Sequence, residues 1–199
     1  LCLGLYPRAA AMRRTRSLPD PLEAEHNAAR LRRSTLANDT ILFGAVGDVD
    51  LSRSAGAAVG AHGPAWPFEN LQPHLDRADV LFGNMESVVL PQDYPLQEID
   101  PQGLVSPFDA TEALTQAGFD FMNLAANHVL DGGTRGMFHT RDLLESRGIA
   151  TAGVGATRAE ARRMRALCVD GLSLGFLCYC EDNNYGLSTI GPAHAYYDV

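Results

Sequence analysis

The chain has 199 residues, enough for one domain with a substantial core, and its 46% hydrophobic and 20% charged content is ordinary for a globular protein. A net charge of −8 argues against nucleic-acid binding by bulk electrostatics. No stretch approaches the roughly 18 apolar residues that a membrane-spanning helix needs.

The charge is unevenly spread. All 16 basic residues are Arg; residues 1–38 carry seven of them against three acids, and residues 39–199 carry nine against 21. The first 38 residues contain Pro7, Pro19 and Pro21 and no sustained apolar period, so they read as a basic, disordered tail. Arg13, Arg14, Arg16, Arg32 and Arg33 suit a solvated surface better than a contact with an anionic partner. The apolar start, residues 1–5, lacks the basic flank and cleavage site of an export signal, and with no initial Met the natural start is expected to be missing.

From Thr40 the pattern changes. Residues 41–46 form a short apolar run that predicts a buried strand stopping at Gly47-Asp48. Residues 68–78 predict a helix, 80–83 a second buried strand ending at Asn84, and 91–107, with four prolines, a long loop. Residues 108–117 predict a helix, with Ser106 or Asp109 near its start and Gly118 as its stop. Strands over 120–124 and 149–152 flank a helix over 134–147, and a helix over 156–165 follows. Residues 165–169 and 172–179 flank Asp170-Gly171, a strong hairpin signal. Strands alternating with helices predict an α/β layered domain with a mainly parallel sheet and a C-terminal hairpin. In such sheets ligands collect at the C-terminal strand ends.

The cysteines offer little chemistry. Cys2 lies in the tail, and Cys168, Cys178 and Cys180 fall in strand-like apolar segments. A zinc knuckle needs two residues between its thiols and a second ligand pair, so buried structural thiols are expected.

Three polar clusters follow apolar strands: Gly47-Asp48-Val49-Asp50, Gly83-Asn84-Met85-Glu86, and Asn127-His128 with Asp131-Gly132-Gly133. Carboxylate, amide oxygen and imidazole donors suit Mn, Fe, Zn or Mg. A two-metal centre needs a bridging carboxylate and further donors on each side, which Asp48, Glu86 and Asn127 would supply. Each cluster alone also reads blandly: a turn at Gly-Asp, or a helix-capping loop with a satisfied His. Their order, each at a strand end, favours a site.

These same residues carry a family resemblance. Residues 47–53 (Gly-Asp-Val-Asp-Leu-Ser-Arg) resemble the opening motif of the CapA family of poly-γ-glutamate capsule synthesis proteins. Residues 78–86 (Ala-Asp-Val-Leu-Phe-Gly-Asn-Met-Glu) resemble its second motif. Residues 117–120 with 124–133 resemble its signature, and 140–155 a later segment, so that the likeness covers about residues 40–180. That family is similar in fold to calcineurin-like metallophosphoesterases, which implies an α/β sandwich around two divalent metal ions. On this resemblance Asp48 and Asp50 would ligate the first metal, Glu86 would bridge, and Asn127 would ligate the second. His128 would act near the leaving group as acid or electrostatic stabiliser, and Asp131 would orient it or cap the next helix.

The sequence departs from the family pattern at Met85, at Ala126 and in lacking the family's later histidine motifs, which His194 does not fit. His62, His74 and His139 read as ordinary surface or capping histidines. Residues 39–199 therefore read as a truncated, partial domain of this kind, with an exposed sheet edge. The resemblance implies a metal-dependent phosphoesterase-like hydrolase of capsule metabolism at the cell envelope or outside the cell. Its substrate would be an anionic polymer or phosphoester, and its partners capsule-synthesis membrane proteins. The competing reading is an inactive fragment serving as a binding or assembly module.

Overall fold

The structure is a computed structural model that describes residues 40–95, 97, 101–107 and 110–180. The expected tail, Cys2, Asp109 and His194 lie outside the described residues.

Four strands form a parallel sheet in the order β1 (Phe43–Val49), β2 (Val80–Met85), β5 (Phe121–Asn123) and β6 (Ala150–Ala152). Helices connect them: α1 (Arg53–His62) and α2 (Gln72–Leu75) between β1 and β2, α3 (Ala110–Ala117) before β5, and α4 (Gly133–Ser146) before β6. Each parallel step needs such a crossover, because a tight turn would reverse the chain. A small parallel pair, β3 (Val88–Val89) with β4 (Val105–Ser106), sits beyond the end of β2. After α5 (Arg158–Ala161), β7 (Arg165–Val169) and β8 (Leu172–Phe176) form an antiparallel hairpin. Its turn residues Asp170 and Gly171 have φ of 49° and 82°, the left-handed pair a two-residue hairpin demands.

The α/β class and the mainly parallel sheet are as the sequence implies, and several boundaries differ. The strand expected to stop at Gly47 continues to Val49, with a register shift between Ala45 and Asp48 that absorbs the glycine. The helix expected over 68–78 is instead a 3₁₀ turn, Trp66–Phe68, and the four-residue α2, because Pro73 has no N–H to donate to the carbonyl four residues back and cannot continue a helix begun at Phe68. Helix α1 was not anticipated; Gly56 and Gly60 dilute its apolar period. The helix expected over 156–165 is only four residues long.

The two sheet faces are packed differently. One is covered by helices and buries Leu81, Leu114, Met122, Met137, Leu144 and Ile149. The other carries an aromatic stack: the Phe121 ring lies 4.0 Å from that of Phe176 on the hairpin and 5.7 Å from that of Phe82. Cys178 and Cys180 join this second cluster, and burial pushes the Cys178 thiol up to about 11, as an inert structural thiol requires. Cys168 differs from expectation: it is exposed, on the outward side of β7. Among the described residues β1 pairs only with β2, and Phe43 at its start is 45% exposed. Among the described residues no helix is long and apolar enough to cross a membrane.

Phe121 is fully buried at the centre of the aromatic stack. Phe121→Ala is expected to lower the unfolding free energy by about 3–5 kcal/mol, read as a reduced urea midpoint. A loss below about 1 kcal/mol would mean that the hairpin and sheet do not share a core there.

Candidate functional site

The polar clusters meet because the strands are parallel and in register. Asp48 is paired with Asn84, and Asn84 with Asn123. Residues paired across parallel strands project to the same face. Two positions earlier the same face carries Phe82 and Phe121, also paired. Side-chain alternation therefore turns an aromatic row into a polar row at the C-terminal strand ends.

Hydrogen bonds run along this row in one direction. The Ala125 N–H donates to Asn123 Oδ1 at 2.9 Å. That commits the oxygen and turns the Asn123 Nδ2 toward Asn84 Oδ1, to which it donates at 2.5 Å. The Asn84 Nδ2 is thereby left facing two carboxylates, and it donates to Asp48 Oδ1 at 2.7 Å and to Glu86 Oε2 at 2.9 Å. Backbone geometry at Ala125 thus fixes which end of each amide points where.

Glu86 links this row to the third cluster. Its Oε1 lies 4.0 Å from His128 Nε2, and His128 Nδ1 lies 2.7 Å from Asp131 Oδ2. Asp131 is buried, and the same oxygen accepts the Leu104 N–H at 2.5 Å. An ionised carboxylate only accepts, so the ring proton sits on Nδ1 and leaves Nε2 turned toward Glu86. Asp131 therefore holds the imidazole and a neighbouring loop together, and it lies two residues before α4.

The remaining candidates are placed less centrally. Asp50 is exposed and spends Oδ1 on the Ser52 N–H at 2.8 Å, closing the turn into α1. Asn127 is half-buried and opens the turn 127–130 that carries His128. Sequence reasoning missed Asn84 and Asn123 as site residues. Asn84 lies inside the second motif, but only the strand register reveals that it stands between the two acids. Arg53, the last residue of the opening motif, adopts φ of 48°, rare for a side chain of its size, and its guanidinium donates to the Gln102 carbonyl at 2.7 Å.

The electrostatics are those of crowded acids. Glu86 is held above its ordinary value of 4.5, by burial first and then by the Asp48 charge; His128 and the Asn84 hydrogen bond pull it back, and Asp50 adds a small further rise. Among the described residues no three His, Cys, Asp or Glu side chains are grouped to hold a metal ion. What the residues offer is narrower: two hard carboxylate donors, Asp48 and Glu86, each hydrogen-bonded to the Asn84 Nδ2, with an imidazole 4.0 Å from Glu86. That donor set fits one hard cation of the Mg or Mn type, which takes one or two carboxylates and keeps water for the rest of its shell.

A family model described as bacterial capsule synthesis protein PGA_cap matches residues 42–196. The chain is 38% identical over 140 residues to the uncharacterized protein y4uA of Sinorhizobium fredii, covering 67% of this chain and 29% of that protein. It is 28% identical over 146 residues to the capsule biosynthesis protein CapA of Bacillus anthracis, covering 72% and 36%. To the PGA biosynthesis protein CapA of Bacillus subtilis it is 23% identical over 155 residues, covering 77% and 41%. The matched part of the chain thus spans about a third of the length of these relatives.

The raised Glu86 pKa has a consequence for stability. The folded state holds this proton more tightly than the unfolded chain does. The group therefore favours folding below about pH 4.5, and that advantage is lost as pH rises through the folded-state pKa. Glu86→Gln is expected to match the wild type near pH 4 and to exceed it in thermal midpoint near pH 7. A wild type that is the more stable at neutral pH would contradict the charge crowding.

Proposed function

The chain belongs to the bacterial capsule synthesis protein family, and from that premise we propose that it carries the strand-end part of a metal-dependent phosphoesterase-like site. Its substrate class is a phosphoester or related bond in the metabolism of an anionic capsule polymer such as poly-γ-glutamate. The observation that carries this reading is the convergence of Asp48 and Glu86 on one point, with the His128–Asp131 pair alongside.

Each residue then has a task. Asp48 and Glu86 would hold the cation, and Asp50, two residues after Asp48, and Asn127, beside His128, are the candidates to complete its shell. A divalent cation there supplies Lewis-acid charge stabilisation and acidifies water. With Nδ1–H committed to Asp131, His128 presents Nε2 to the site, where it would take or give a proton at the leaving oxygen. The buried Asp131 fixes the tautomer and the ring plane, and the Leu104 N–H fixes Asp131. A chain of net charge −8 repels anionic substrates, so a cation held by Asp48 and Glu86 would also have to provide the attraction.

A second reading has its own support. The described residues lack a three-donor metal group, and the β1 edge is open among them, which suits a binding or assembly module. The assay that separates the two is hydrolysis of bis-p-nitrophenyl phosphate and p-nitrophenyl phosphate by the full chain with added Mn²⁺. The enzymatic reading expects metal-dependent turnover that His128→Ala reduces about 10²–10⁴-fold and Glu86→Ala abolishes. No metal-dependent rate, or an unchanged rate in Glu86→Ala, would favour the module.

A further inference from the structure

A cavity of about 560 Å³ lies along β6, at the end of the sheet, and shares no residue with the strand-end row. Its size is that of an ordinary small-molecule site. It is lined by α4, by residues 151–156 and by the stretch from α5 into β7. Three guanidinium groups, Arg141, Arg163 and Arg165, and three carboxylates, Asp142, Glu145 and Glu160, line it, so their formal charges cancel. Four of the six are engaged within the wall. Arg141 lies 4.6 Å over the Phe138 ring and donates to Asp142 Oδ1 at 2.8 Å. Glu145 accepts the Thr151 hydroxyl at 2.9 Å and stands 3.9 Å from Arg165. Two charges of opposite sign remain. The Arg163 guanidinium makes no hydrogen bond or ion pair among the described residues. Glu160 accepts the Ala156 N–H at 2.8 Å, which holds its carboxylate, but no cation among the described residues pairs with it. Gly155 seats this loop against α5, since a Cβ there would stand 2.5 Å from the Cβ of Glu160. Opposite charges three residues apart ordinarily gain from meeting. A solvated surface accounts for either one alone, but less well for both staying apart at one cavity.

We propose that this cavity binds a small zwitterion of the α-amino-acid class with an apolar side chain. Arg163 takes the carboxylate, for which a guanidinium fork offers two parallel hydrogen bonds. Glu160 takes the ammonium, which needs acceptors only. Phe138, Val154 and Met164, which also line the cavity, receive the side chain. A lining whose charges cancel selects for a ligand whose charges cancel too. An organic anion would satisfy Arg163 and repel Glu160, and a cation would do the reverse. An acidic side chain would be turned away by Asp142 and Glu145. The assignment is independent of the metal-centre reading, because none of these residues belongs to the strand-end row.

The test titrates the full chain with L-leucine, followed by calorimetry and by NMR of the backbone amides, with circular dichroism confirming that each variant is folded. Saturable binding is expected, with the largest amide shifts in residues 151–156. Isocaproate, which lacks the ammonium, and L-leucinamide, which lacks the carboxylate, are each expected to bind roughly tenfold more weakly, the worth of a hydrogen bond to a charged group. Arg163→Gln is expected to abolish the preference for leucine over leucinamide and to keep that over isocaproate. Glu160→Gln, which retains an oxygen for the Ala156 N–H, is expected to do the opposite. Both side chains are exposed, so neither change threatens the fold. No saturable binding of leucine, amide shifts centred elsewhere, or equal affinity for the three compounds overturns the proposal. Folded variants that keep both preferences intact overturn it as well.

Discussion

Parallel register is the constraint from which the candidate site follows. β1, β2 and β5 run side by side with Asp48, Asn84 and Asn123 in one transverse row, so residues about 40 positions apart in sequence become hydrogen-bonded neighbours. A shift of one residue in any of the three strands would turn its polar side chain to the helix-covered face, where Leu81, Met85 and Met122 are packed. The aromatic residues beneath the row guard against that slip. Phe82 and Phe121 lie on the same face two positions earlier and are packed against Phe176, so a slip would also drive rings out of their stack. Burial of the core and placement of the chemistry are thereby one choice.

The same arrangement explains why the acids tolerate one another. Asp48 and Glu86 approach from adjacent strand ends, and the cluster is only partly buried, so each keeps some contact with water. Asn84 supplies the shared donor, while His128 gives Glu86 a polar neighbour on the other side. Glu86 is still held above its ordinary value, by burial first and by the Asp48 charge second. Sites that hold uncompensated negative charge in a defined geometry suit cations, and that surplus ties the row to its proposed chemistry. The His128–Asp131 pair differs in kind: it is anchored to the β3–β4 side through Leu104, so its geometry depends on the loops more than on the sheet.

Much of the fold was legible in the sequence. The short apolar runs at 41–46 and 80–83 stop at glycine and polar residues, and the Asp170-Gly171 turn announces its hairpin. What the runs could not give was extent. β1 carries on through Gly47 by a register shift, which depends on its partner strand and not on its own residues. Helix α1 was hidden by its glycines, and the helix expected from Phe68 onward was interrupted by Pro73. Asp48, Glu86, His128 and Asp131 stood out in the sequence through residue type, their place after strands and the family resemblance, and the structure brings them into one neighbourhood. Asn84 and Asn123 did not, since an amide at a strand end signals nothing until the neighbouring strand shows what it faces. Asp50 looked equivalent to Asp48 in the motif, yet lies beyond β1 and serves the turn before α1.

The central claim is that Asp48 and Glu86, brought together by strand register, hold a divalent cation between them. Crystals grown with Mn²⁺ and measured at a wavelength where manganese scatters anomalously test it most directly. The account predicts a peak within coordination distance of both the Asp48 and the Glu86 carboxylates. Ordered density for both carboxylates with no peak between them, or manganese bound only elsewhere on the chain, would contradict it.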